Sequence, residues 1–427
     1  MLSSKKAKRS VSINKKEWSW ILYDLGNSAY SIIITAAILP IFFKSLTEAA
    51  MIEASRSTAY WGYSVSIATL LVAALAPILG AISDYRRYKK RFFLFFVLLG
   101  VIFTGALATI GEGQWLRCLI IYVFAVIGFT GANVFYNAFL IDVTSKKRMD
   151  WISSSGFAFG YIGSVIPFTI SIFIVQNPSR IGVDTMGATR IAFIITAIWW
   201  AAFTIPMLVH VRQKYFIEPE PQPIKKSFIR LAKTFKNIVQ YREIFLFLLA
   251  YFFYIDGVYT VINMATVYGT DLGISTANLV IILLATQVVA FPFTLFYGRL
   301  ARRFSARILI LVAIVIYIFI VIFAFFIINT FQFWILAMLV ATSQGGIQAL
   351  SRSYFGKIIP KDSSGEYFGF YNIFGRFAAI LGPFLMGIVS QLTGSSRYGV
   401  LSIVVLFIVG FLLLFRQGNR KIKNTVK

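Results

Sequence analysis

Apolar residues fall in long runs separated by short polar stretches. The runs lie near 18–43, 58–83, 92–111, 115–141, 151–176, 188–211, 244–269, 275–298, 306–328, 331–356, 367–391 and 397–415. Each is about twenty residues or more, the length at which a helix crosses a bilayer. The pattern predicts an all-α integral membrane chain with twelve transmembrane helices. A basic tail over 1–17 precedes six spans over 18–211. A linker over 212–243 leads to six more over 244–416, and 417–427 forms a second basic tail.

Composition agrees with the pattern. Residues are 58% hydrophobic and only 13% charged, with a mean hydropathy of +0.78. A soluble chain carries about a quarter of its residues as charges, so polar surface is too scarce here for a water-soluble core. The net charge of +25 is split into short clusters between apolar runs and forms no single patch, so nucleic acid is not an expected partner. Alternate loops hold Arg86, Arg87, Lys89, Lys90 and Arg91, then Lys146, Lys147 and Arg148, then Arg299, Arg302, Arg303 and Arg307. The loops between them are nearly free of base, which predicts cytoplasmic termini. Lys5, Lys6, Lys8, Arg9, Lys15 and Lys16 precede a run too long for a cleaved leader. The linker reads as a Pro-rich link, EPEPQP, followed by a basic amphipathic stretch with Arg230, Lys233, Lys236 and Arg242 that suits an anionic lipid surface.

The same inventory excludes several chemistries. One cysteine, Cys118, and one histidine, His210, leave no intrachain disulfide and no Cys/His zinc site. The chain lacks GxxxxGK[ST], HExxH and GxSxG, so neither a nucleotide motor nor a hydrolase is expected, and no cofactor or metal is implied.

The two sets of six spans look alike. Asp24, Asn27, Ser28 and Ser31 stand at i, i+3, i+4 and i+7 in the first span, and Asp256, Tyr259, Thr260 and Asn263 repeat that spacing in the seventh. Such spacing puts four side chains on one helical face. Gly80 and Asp84 before a basic cluster correspond to Gly298 and Arg302 before another, and Phe139, Asp150 and Pro167 correspond to Phe355, Glu366 and Pro383. The offset between halves falls from 232 to 218 to 216 residues, which suggests a longer first loop in the first half.

The stretch GAISDYRRYKKR, from Gly80 through Asp84, Arg86 and Arg87 to Arg91, resembles the gate motif of the major facilitator superfamily. YDLGNSAYSIIITAAILPIFF, YNAFLIDVTSKKRMDWISSSGFAFGYIGS, AYFFYIDGVYTVINMATVYG and SRSYFGKIIPKDSSGEYFGFYNIFGRFAAILGP resemble one branch of it, the autophagy-related vacuolar effluxers and their bacterial relatives. The resemblance implies two pseudo-symmetric six-helix bundles, the major facilitator fold, which rock about a central cavity lined by the first and fourth helix of each half. It also implies amino-acid release as the activity of eukaryotic members. Arg302 departs from the motif, leaving Asp84 as the one acidic latch.

The expected cavity helices do carry polar stripes: Asp24, Asn27 and Tyr30; Asn133, Tyr136 and Asn137; Asp256, Tyr259 and Asn263; Gln344, Gln348 and Arg352. Arg376 is the basic residue placed deepest, near the midplane of the eleventh span. Asp24, Asp256 and Arg376 then either bind solute and proton or pair with one another. The leading expectation is a monomeric secondary carrier of a small polar solute, an amino acid or related zwitterion, working by efflux or coupled to protons. It would lie in a bacterial inner membrane, or a vacuole-type membrane in a eukaryote. The alternatives are another solute, such as a sugar or drug-like cation, and a lipid-handling or sensory membrane protein.

Overall fold

A computed structural model describes residues 12–218, 226–231, 233–234 and 241–424. Lys5, Lys6, Lys8 and Arg9 of the first tail, most of the EPEPQP link, Lys236 and the last three residues lie outside the described residues. Among the described residues twelve helices are long and apolar enough to cross a membrane: α1 Lys15–Ala49, α2 Arg56–Ser83, α3 Tyr88–Thr109, α4 Trp115–Val143, α5 Met149–Gln176, α6 Thr185–His210, α7 Arg242–Asp271, α8 Asn278–Leu300, α9 Ala306–Phe325, α10 Thr330–Ile358, α11 Ser364–Thr393 and α12 Ser396–Gln417.

The reason these segments are helical is the absence of any other partner for their peptide groups in hydrocarbon. Side chains such as Leu70, Leu71, Ile102, Ile198, Phe319 and Phe384 are exposed on the outside of the bundle, where acyl chains would cover them. Ends are fixed locally. Asn14 accepts from the Glu17 N–H at 2.9 Å while Glu17 accepts from the Asn14 N–H at 3.0 Å, a reciprocal cap that starts α1.

Two readings of the sequence need correction. The first span does not stop near residue 43; α1 continues through Lys44 and Glu48 to Ala49, widening to π pitch over Ser31–Ala37 just before Pro40. Proline lacks the N–H that would continue the α ladder, which favours such irregular winding ahead of it. The extra length of the first half therefore lies in helix and not in a long loop. α1 runs on to Ala49 after Asp24, whereas α7 ends at Asp271 after Asp256.

Helices α1–α6 pack among themselves, with α3 on α4 and α1 on α5 and α6. Helices α7–α12 do likewise, with α8 on α10 and α7 on α11 and α12. The halves meet chiefly where α2 packs on α11 and α5 packs on α8 and α10, whereas α1 and α7 make no appreciable contact with each other. The α2–α3, α4–α5 and α8–α9 loops, which carry the basic clusters, share one end of the molecule. It is called the basic end below.

Candidate functional site

The cation that contacts the acid of the first span is not Arg376. Arg352 on α10 reaches across to the first half, with Nη2 and Nη1 at 3.4 and 3.5 Å from one oxygen of Asp24 on α1. Its Nη1 donates to Asn137 at 3.2 Å, its Nε to the Ser153 hydroxyl at 2.9 Å and its Nη2 to the Ser153 carbonyl at 3.0 Å. Three ring faces enclose the guanidinium: Phe157 at 4.3 Å, Trp20 at 4.6 Å and Tyr136 at 5.4 Å. Trp20 is held in place by donating to the Tyr136 carbonyl at 3.0 Å and stacking on its ring. A buried carboxylate in such a setting needs a cation, and here the second half supplies it.

Arg376 on α11 behaves differently. Its Nη2 donates to the Thr130 hydroxyl of α4 at 2.9 Å, so it too bridges the halves. Among the described residues no carboxylate comes within ion-pairing distance of it. The phenols of Tyr259, Tyr122, Tyr30 and Tyr251 lie within electrostatic reach of its charge. Tyr30 is fully buried against Phe129, and its hydroxyl has no hydrogen-bond partner among the described residues.

Asp256 is fully buried inside the second half. One oxygen accepts from the Gly382 N–H of α11 at 2.9 Å and, weakly, from the Thr260 hydroxyl at 3.5 Å; the other has no partner among the described residues. The remaining stripe residues are scattered around these groups. Asn27 donates to Asn133 at 2.6 Å, and Gln348 donates to the Tyr161 hydroxyl at 3.3 Å across the halves. Gln344 is buried with its amide nitrogen unpartnered, at the edge of a cavity of about 90 Å³ also lined by Thr260, Thr286 and Gln287. Asn263 is exposed. Apart from the exposed Asn263 the stripe residues are buried or half-buried, and among the described residues Asp24 pairs with Arg352 while neither Arg376 nor Asp256 has a charged partner.

Below these groups the basic end is shut. Asp84, at the end of α2, points its carboxylate at the start of α11. It accepts from the Gly365 N–H at 2.7 Å and the Glu366 N–H at 3.0 Å. Ser363, at the N-cap of α11, makes no side-chain cap of its own, so an acid from the opposite half fills that role. Gly80 and Gly365 make this possible, because a β-carbon on Gly80 would collide with the Gly365 carbonyl. Lys89 donates to Asp142 at 2.9 Å and to Ser364 at 2.8 Å, again spanning the halves. Asp150 at the start of α5 accepts from Ser353 at 2.7 Å and from Lys357 on α10. Burial, only partly offset by Lys89, the two N–H groups and Arg230, pushes the Asp84 carboxyl up to about 7.

Arg86 and Arg87 do not join that seam. Arg86 sits over the Phe216 ring at 5.1 Å, and the Arg87 N–H donates to Gln213 at 3.0 Å from a left-handed backbone, φ 73°. They hold the start of the linker, whose Ile217 pairs with the backbone of Asp84 and Arg86. From the linker, Arg230 donates to Glu366 at 3.0 Å and lies 3.8 Å from Asp84. His210 contacts Ser19 of α1 and the Pro206 carbonyl of its own helix, joining the ends of α1 and α6.

Reasoning from sequence undervalued Arg352. It stands at i+8 from Gln344 on the polar stripe of α10, but lies few residues from the end of its apolar run, so counting depth along one helix ranked Arg376 as the deeper cation. Its depth comes from the opposite half wrapping around it. No local signal marks Ser153 and Phe157, one helical turn apart on α5, as its partners.

The family profile described as vacuole effluxer Atg22 like matches residues 52–147 and 141–427. The MFS-type transporter YxiO of Bacillus subtilis is 54% identical over 402 residues, covering 94% of each chain. Autophagy-related protein 22 of Saccharomyces cerevisiae is 24% identical over 84% of this chain and 78% of that one. Among solved structures, the proton:xylose symporter XylE superposes with a TM-score of 0.73 at 12% identity, over 94% of this chain and 95% of that one, which shows the shared fold alone. The chain is a multi-pass membrane transporter and not an enzyme; it belongs to the Atg22-like vacuole effluxer family of the major facilitator superfamily.

Proposed function

We propose that this protein is a secondary carrier of a small polar solute, an amino acid or related zwitterion, in a bacterial cell membrane. The basic end faces the cytoplasm, in keeping with the distribution of Lys and Arg among the loops. The closed seam at that end, with α1 and α7 apart, corresponds to the outward-open stage of an alternating-access cycle.

The observation that carries the reading is Arg376. A guanidinium between the two halves, with no carboxylate at ion-pairing distance among the described residues and four phenols within electrostatic reach, is the group a solute carboxylate would neutralise by a two-point pair. Asp24 cannot compete for it, being held by Arg352. Asp256, with one free oxygen, is the acceptor for a transported proton or a solute ammonium.

Uptake into proteoliposomes, with a panel of amino acids at imposed pH gradients, tests this. Arg376→Ala is expected to cut amino-acid flux at least tenfold, and Asp256→Asn to remove the dependence on the pH gradient. Undiminished flux in Arg376→Ala would reject the carboxylate assignment. Movement of a sugar or cation with no amino-acid flux in the unaltered protein would reject the solute class.

A further inference from the structure

The surroundings of Arg352 have the composition of a receptor for a free cation. One carboxylate, one amide oxygen from Asn137 and two oxygens from Ser153 ring the guanidinium at 2.9–3.5 Å. Three aromatic faces, of Trp20, Phe157 and Tyr136, complete the enclosure. Every wall of this cage belongs to the first half, on α1, α4 and α5, while the occupant alone comes from the second half, on α10. A rotation of one half against the other that opens the basic end must therefore withdraw the guanidinium and leave the cage empty and facing the cytoplasm.

An emptied cage keeps its carboxylate and its three π faces. Aromatic rings recognise a compact organic cation through their quadrupoles, and Asp24 supplies the counter-charge. A proton on Asp24 would neutralise the acid but leave the rings unoccupied. We propose that Arg352 is a tethered stand-in for an exogenous organic cation. When the cytoplasmic face opens, the Asp24–Trp20–Tyr136–Phe157 cage becomes a binding site for a guanidinium or alkylammonium group. Such a cation competes with Arg352 and so favours the inward-open state, because a ligand shifts a two-state equilibrium only by binding one state better. The inference rests on the alternating-access reading of the preceding section, but its test measures binding and opening without measuring transport.

Calorimetry on detergent-solubilised Arg352→Gly should show one saturable site for methylguanidinium, weaker for methylammonium and absent for sodium at equal ionic strength. Adding Asp24→Asn to that chain should weaken binding at least tenfold. A second arm keeps Arg352 in place. With Cys118→Ser removing the native thiol, Lys147→Cys and Arg303→Cys put spin labels on exposed positions at the basic ends of the two halves. Methylguanidinium should then populate a longer label distance, and Asp24→Asn should abolish that response. Binding that survives Asp24→Asn overturns the proposal. So does a distance distribution that methylguanidinium leaves unchanged, a result that decides the matter even if Arg352→Gly does not fold. Opening by acid alone, with no further effect of the cation, also overturns it, since Asp24 would then exchange Arg352 for a proton. Loss of amino-acid transport with intact cation binding would instead count against the solute class and leave this site standing.

Discussion

Two seams close the basic end, and the repeat relates them. In one, the end of α2 meets the start of α11; in the other, the end of α8 meets α5. Both put a glycine at the closest approach. Gly80 lies against the Gly365 backbone, and a β-carbon on Gly298 would stand 2.7 Å from Cβ of Ser154. Beyond the glycine they diverge. Asp84 caps α11 through two backbone N–H groups, whereas Arg302, at the matching place, lies over the Trp151 ring at 5.3 Å, with Arg299 at 5.7 Å. The first seam is further covered by Arg230, Gln213 and Ile217 of the linker. The shared feature is close approach; the polar group that finishes each seam is replaceable. Glycine sets the distance, and what sits beside it sets how the contact responds to charge.

The strongest way to break the comparison is at the glycines. Gly80→Ala puts a methyl into backbone that cannot step aside, an overpacking cost of about 1–3 kcal/mol. That is enough to lower the closed population by roughly five- to a hundredfold, at 1.4 kcal/mol per factor of ten. Gly298→Ala meets a serine side chain in place of a main-chain carbonyl and should cost less. Distances between spin labels across the basic end measure both. Equal effects would show that the two seams are not distinguished by backbone contact.

Charge separates the seams more gently. The Asp84 carboxyl is pushed up to about 7 where it is buried, against about 4 for an exposed aspartate. Closing the seam therefore takes up a proton. Closure is favoured at low pH, weakens as pH rises from about 4 through 7, and levels off above that. Between pH 6 and 8 the closed-to-open ratio should fall about tenfold. Asp84→Asn should make the ratio independent of pH across this range, while Arg302→Ala should leave the dependence in place. A pH response that persists in Asp84→Asn would assign the titration to another group.

The contrast also shows what the sequence could reveal. Twelve spans were legible because hydrocarbon allows few alternatives to an uninterrupted apolar helix. Gly80 and Asp84 were legible as a motif because their spacing and basic cluster are local. Their partners, the N–H groups of Gly365 and Glu366, were not, since any helix start offers such donors and only packing selects one. Lys44 and Glu48 read as loop, yet the helix continues beneath them to Ala49, because polar residues at a helix end need not break it. Asp24 and Arg376 share one interior, but a stripe gives the face of a helix and not the residue across from it. That is why Arg352, and not Arg376, turned out to hold Asp24.

The smallest expected effect concerns Arg302, and it decides whether the second seam depends on its cation at all. A guanidinium over tryptophan at a partly wet site contributes about 0.5–1 kcal/mol. Arg302→Ala should thus reduce the closed population only two- to fivefold, and Arg299, over the same ring, should hide part of that loss. Removing both arginines together should exceed the sum of the single losses, because each can cover Trp151 when the other is gone. Asp150, next to Trp151 in the chain but anchored by Ser353 and Lys357 of α10, offers a separate tie between the same halves and should be unaffected. If Arg302→Ala instead opened the basic end as far as Gly80→Ala, the ring contact would be the fastening of this seam, and the glycine would be only a spacer.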